Sequence, residues 1–180
     1  MMDLFSTEES KAPVANVIIS SRDNADDLIA EHKPRAIVSI LDDDELRVKV
    51  DDSVEHIKLS GQCTDPNECE ASCQTIIKLA EECAALPGDD WSVLFYCNEG
   101  VCRSTAFATV FICALEKTAP ESEIAERLRK MAPHADPNMM VVAKADSLLN
   151  RNDRMIDALL DLPPCSPGAT TPSVILPVAA

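Results

Sequence analysis

"FYCNEGVCRSTA", residues 95–106, decides the fold. It sets two cysteines, one glycine and one arginine between an apolar run and a helix-like pattern. The run that enters it, "WSVLFYC" (91–97), carries no charge and reads as a central strand buried on both faces. The run that leaves it, "RSTAFATVFICALEK" (103–117), reads as a buried helix. A strand that turns through a short loop into a helix can gather backbone N–H groups around an anion.

Working outward, the same alternation recurs. "PVANVIIS" (13–20), "RAIVSIL" (35–41) and "VEHIKL" (54–59) read as strands. "SRDNADDLIAEHK" (21–33) reads as a helix capped by Ser21, and residues 67–86 as a long one with Ile76, Ile77, Leu79, Ala80 and Cys83 on its apolar side. Thr118, with Glu121 three residues later, reads as a capping box, and helices follow at about 119–132, 138–150 and 151–161. Strands alternating with helices imply an α/β fold: a central, mostly parallel sheet of four to five strands flanked by helices. The expected organisation is a loose N-terminus over 1–12, one domain over 13–161, and a proline-rich, mostly disordered tail over 162–180. Ligands of such sheets sit at the carboxyl ends of the strands, where Cys97 lies.

The loop has the spacing C-x5-R-S, from Cys97 to Arg103 and Ser104. Asn98, Glu99, Gly100, Val101 and Cys102 would offer backbone N–H groups to a phosphate, with the helix N-terminus adding positive potential. Gly100 permits a backbone conformation or close approach closed to other residues. Arg103 can make paired hydrogen bonds to two phosphate oxygens. The same field favours the thiolate of Cys97, which can attack phosphorus to give a cysteinyl-phosphate. Ser104 can donate to that sulfur and help it leave.

These residues resemble the signature loop of the protein tyrosine phosphatases, and the Glu99-Gly100 pair looks like its dual-specificity branch. "VIISSRDNADDLIAEHKPRAIVSILDDDE" resembles the opening strand–helix–strand of that branch, and "LRKMAPHADPNMMVVAKADSLLNRNDRM" is similar to the end of a bacterial group of predicted tyrosine phosphatases. The resemblance spans about residues 14–160 and implies a metal-free, cofactor-free phosphatase acting on phosphotyrosine in proteins or on small phosphomonoesters. One position departs from the pattern: where the family carries a histidine that orders the loop, this chain has Tyr96. A tyrosine can hydrogen-bond but supplies no positive charge. That departure motivates a second reading, a pseudophosphatase that binds phosphorylated partners. A rhodanese-type sulfurtransferase also places a cysteine between strand and helix, but Arg103-Ser104 argues against it. "CNEGVCRS" is also similar to the low-molecular-weight phosphatase loop, which in that family follows the first strand. On that comparison Cys102 would trap an oxidised Cys97 as a disulfide; a helix-start cysteine packed in the core is the equal alternative.

Expelling an alkoxide or phenoxide requires a general acid. Asp65 stands 32 residues ahead of Cys97, at the place and spacing of the dual-specificity acid. It is equally a good helix cap, with Pro66 at the first position and Glu68 three residues on. Asp136, in "HADPN", is the rival; it too precedes a proline and reads as a cap. His56 and His134 read as surface or capping residues, Asp42 to Glu45 as a solvated turn, and Arg151 and Arg154 as partners in surface ion pairs.

Composition excludes other classes. The formal net charge of -15 opposes binding to nucleic acid and to anionic membranes, and with no Lys or Arg between Cys97 and Arg103 it argues against phosphoinositide substrates. "MMDLFSTEESK" shows no secretory pattern and no run is long enough to span a membrane, so a cytoplasmic chain with reduced cysteines is expected. The eight cysteines form no C-x-x-C pair; Cys69 and Cys73 share a helix face but read as buried apolar groups rather than metal ligands.

Overall fold

The computed structural model describes residues 15–61, 65–166, 168 and 173–179. The expected loose segment over 1–12 lies outside them. Five strands form one sheet: β1 (Ala15–Ser21), β2 (Ala36–Ile40), β3 (Glu55–Leu59), β4 (Ser92–Cys97) and β5 (Val174–Val178), in the order β3-β2-β4-β1-β5. β4 lies between β1 and β2 and runs parallel to both, as its uncharged sequence requires. β3 joins β2 in parallel; β5 runs antiparallel to β1.

α1 (Arg22–His32) covers one face of the sheet, over Ile18, Ile37, Leu94 and Tyr96. The other face carries α2 (Pro66–Ala84), α3 (Arg103–Leu115), α4 (Glu121–Met131), α5 (Met139–Leu148) and α6 (Arg154–Leu160). α3 is its central helix, buried on every side after its first residue. With few aromatic residues, the core rests on aliphatic packing, worth about 1.5–3 kcal/mol per large side chain. Phe111 adds edge contacts to Trp91 and Phe95, with ring centroids 6.2 and 5.6 Å apart. Among the described residues no helix is long and apolar enough to cross a membrane.

Several local expectations need correction. The tail over 162–180 is not structureless throughout: Val174–Val178 closes the sheet against β1. Val174, Leu176 and Val178 face inward while Ile175 and Pro177 face out, a strict alternation. Pro177, which lacks an N–H, is tolerated because β5 is an edge strand. The capping box at Thr118 does not form; Pro120 precedes α4 with no side-chain cap. Glu121 is instead drawn into a buried ion pair with Arg151 at 2.8 Å and a second pair with Arg154 at 3.0 Å. Arg151 is therefore a buried core cation, not a surface one, and also donates to the Cys113 carbonyl at 2.6 Å. Ser21 makes no side-chain cap for α1. The reading of Cys69 and Cys73 as buried apolar groups holds: both lie on the core side of α2.

Candidate active site

β4 ends in Cys97, and the chain turns through residues 98–102 into α3. Gly100 adopts φ +73°, where other residues are strained, and an added Cβ would lie 2.7 Å from the carbonyl carbon of Ser20 and the nitrogen of Ser21. The loop thus lies directly against the junction of β1 and α1, and only glycine fits.

Its carbonyls are fastened from outside. Asn98 O accepts from Arg22 N–H at 3.3 Å, filling a role Ser21 leaves open at the start of α1. Val101 O accepts from Asp136 N–H at 3.0 Å, and Cys102 O from Asn138 N–H at 3.2 Å. The Thr105 hydroxyl reaches back to both of the latter, at 2.5 and 3.0 Å. In a planar trans peptide the N–H points opposite to the C=O, and none of these bonds is cis. Holding these carbonyls from outside therefore turns the N–H groups of Glu99, Cys102 and Arg103 the other way, at the N-terminus of α3.

The Cys97 side chain is buried, with its sulfur 3.3 Å from Ser104 Oγ and accepting from Gly100 N–H at 3.2 Å. Burial alone would push its thiol up. Hydrogen bonds from the Ser104 hydroxyl and N–H and from Gly100 N–H, with the charge of Arg103, outweigh it and hold the thiol below its ordinary value. Partial desolvation raises the thiol of exposed Cys102, and the nearby Asp136 and Cys97 add to the rise. Cys102 is a helix-start residue but not a core one.

Arg103 is mostly covered and lies 3.7 Å from Asp42 Oδ2, beside Gly61. The acidic turn is therefore not wholly solvated: Asp42 faces the loop arginine, and Asp44 pairs with Arg47 at 2.7 Å. Asp65 is exposed and caps α2, its carboxylate accepting from Asn67 N–H at 2.8 Å. Asp136 is exposed too, and Asn138 rather than Asp136 caps α5. Tyr96 is fully buried on the opposite face of the sheet from Cys97, where its hydroxyl accepts from Val48 N–H at 3.1 Å. His56 is half-buried, its Nε2 2.9 Å from Ser39 Oγ.

Two residues beside the loop were missed in the sequence. His134, expected at the surface or as a cap, is buried at 6 % exposure; burial holds its ring below its ordinary value, the Gly100 backbone acts in the opposite sense, and the charge of Arg129 adds to the lowering. Thr105 completes the loop through its hydroxyl; its signal was a Ser/Thr one turn after the loop. Among the described residues no group of three His, Cys, Asp or Glu is arranged to hold a metal ion.

No protein-family model and no curated protein matches the sequence. Solved structures do. DUSP15 superposes with a TM-score of 0.59 at 13% identity, covering 85% of this chain and 96% of its own. Human DUSP28 gives 0.58 at 15% identity, covering 76% and 93%. PTPMT1 in complex with PI(5)P gives 0.57 at 16%, covering 75% and 90%. The chain has the dual-specificity phosphatase fold. In that fold the loop at the end of β4 lies at the carboxyl edge of the parallel strands, the edge where α/β sheets bind ligands.

Proposed function

We propose that the chain is a cysteine-dependent phosphatase of phosphotyrosine or related phosphomonoesters. The observation that carries this reading is the hydrogen-bonded Cys97 sulfur, held below the ordinary thiol range at the floor of an N–H-lined loop. Arg103 and the loop amides hold the phosphoryl oxygens and stabilise the transition state. The Cys97 thiolate attacks phosphorus; the S–P bond forms as the bond to the leaving oxygen breaks. That oxygen takes a proton from a carboxylic acid, Asp65 in the leading assignment and Asp136 in the rival one. Water then attacks the cysteinyl-phosphate, giving its proton to the same carboxylate, and the thiolate leaves with the Ser104 hydroxyl donating to it. No metal enters either step.

The similarity of the C-terminal helices to bacterial predicted tyrosine phosphatases supports the same reading. Phosphoinositides fit less well: the loop carries no added cation, and Asp42 stands beside Arg103. A cytoplasmic, reducing setting fits a working thiolate. A pseudophosphatase is the second reading, favoured by Tyr96 in place of histidine and by an Asp65 carboxylate already engaged as a cap.

The test is hydrolysis of para-nitrophenyl phosphate under reducing conditions. Activity that vanadate blocks, EDTA spares and Cys97→Ser abolishes is the expected result. Folded protein that binds vanadate without turnover would establish the second reading instead.

A further inference from the structure

Three segments of chain meet at the guanidinium of Arg103. α3 brings the arginine, β2 runs on through Leu41 to Asp42, and β3 runs on through Ser60 to Gly61. Asp42 Oδ2 lies 3.7 Å from Arg103 Nη1. Gly61 comes closer still: a Cβ added there would overlap Arg103 Nη1 and stand 2.8 Å from Asp42 Oδ1. The guanidinium occupies the place that any other residue at 61 would fill with a side chain.

The frame around this seat is fixed. Leu41 N–H donates to Leu59 O at 3.2 Å, carrying the β2–β3 pairing on toward Asp42 and Gly61. The buried Arg47 side chain ties the two strand ends together: Nη2 donates to Leu41 O and, at 3.0 Å, to Leu59 O, and Nη1 donates to Ser39 O at 2.8 Å. Arg22 joins the segment beyond Asp42 to the loop, its Nε donating to Leu46 O and its N–H to Asn98 O.

The ion pair alone does not set the arginine, because a pair with a half-exposed carboxylate contributes little. Shape does. Gly61 differs from Gly100 in what a methyl group would meet. At Gly100 it meets backbone, at a positive φ; at Gly61 it meets the ends of two side chains, and φ is not positive. Alanine at 61 therefore leaves the chain path in place and displaces the guanidinium.

We propose that Gly61 is a positioning residue for Arg103: its missing side chain lets the guanidinium seat Nη1 beside Asp42, with the Nε–Nη2 edge left to face phosphate. Seated in advance, the arginine loses less side-chain freedom when an oxyanion binds. Gly61 acts through Arg103 alone. The inference rests on the phosphate-binding reading above and names what places the arginine of that reading.

The experiment measures vanadate affinity, melting temperature and the rate of Cys97 alkylation by iodoacetamide for wild type and Gly61→Ala, each also in an Arg103→Lys background. Gly61→Ala should bind vanadate roughly tenfold more weakly at a near-wild-type melting temperature. Lysine is one atom shorter and ends before the place of Nη1, so in that background Gly61→Ala should change affinity by less than about twofold. Alkylation should stay near wild type in Gly61→Ala, because Ser104 and Gly100 N–H still hold the sulfur. Unchanged or tighter vanadate binding by Gly61→Ala, or an equal loss in both backgrounds, would overturn the proposal. Wild type that binds no vanadate would overturn the phosphate-binding reading itself, and this inference with it. Nitrogen NMR of the wild-type arginine side chains depends on no Gly61 variant folding. Slow rotation of the Arg103 guanidinium before vanadate is added supports the seat, and free rotation until vanadate binds contradicts it.

Discussion

Around residues 97–103 the backbone is held from two sides, by the β1–α1 junction and by Asp136 and Asn138, and Cys97 is buried. On the acid side Asp42, Asp65 and Asp136 are all exposed, one facing Arg103 and one engaged as a helix cap. On the proposed function the contrast follows from what each half must do. An anion cradle depends on the directions of successive peptide planes, and those need rigid support. A general acid needs only to reach the leaving oxygen, and apo geometry often leaves it loosely placed.

The largest expected effect falls on the rigid half. Gly100→Ala would place a Cβ into the Ser20–Ser21 backbone at a positive φ, at a cost of about 1–3 kcal/mol for strain alone. Vanadate binding should be lost and the melting temperature should fall; a variant that binds normally would break the claim that the loop is locked.

On the loose half, Asp65→Asn should lower kcat about 100-fold with phenyl phosphate and less with para-nitrophenyl phosphate, whose leaving group needs less protonation. If Asp136→Asn shows that pattern instead, the acid assignment passes to Asp136. Vanadate affinity should barely move in either variant, which sharpens the division between holding and protonating.

Ser104→Ala should raise the Cys97 thiol toward its ordinary value and slow its alkylation at pH 7 by roughly three- to tenfold. The sign extends to stability. A folded thiol titrating below its unfolded value adds stability as pH rises through the folded value, fully so above the unfolded one, and loses it as pH falls. Thermal melts across that window should show the slope in wild type and not in Cys97→Ala.

The smallest effect on the site is expected at Tyr96→Phe. Losing the buried acceptor for Val48 N–H should cost about 1–3 kcal/mol of stability while leaving vanadate affinity near wild type, because Tyr96 lies on the far face of the sheet. A large loss of affinity at constant stability would show that the two faces communicate.

The strand–loop–helix at 91–117 was legible because an uncharged strand, a glycine and an arginine at fixed spacing leave few alternatives. β5 was not, because prolines at 163, 164, 167 and 172 precede it and Pro177 interrupts it; its inward residues become meaningful only once β1 offers an open edge. His134 was hidden for a different reason. A lone histidine 37 residues past Cys97 has no local pattern, and only the return of the chain between α4 and α5, which bonds the loop through Asp136 and Asn138, buries it there. The Glu121–Arg151 pair was missed likewise, since burial of two charges depends on partners 30 residues apart.

The most direct test of the central claim is to quench the reaction with para-nitrophenyl phosphate in acid within milliseconds and locate phosphate by mass spectrometry. The account predicts one phosphate on the peptide containing Cys97, absent when vanadate is added first. Turnover with no phosphate on that peptide, or folded protein that neither turns over nor becomes labelled, would contradict it.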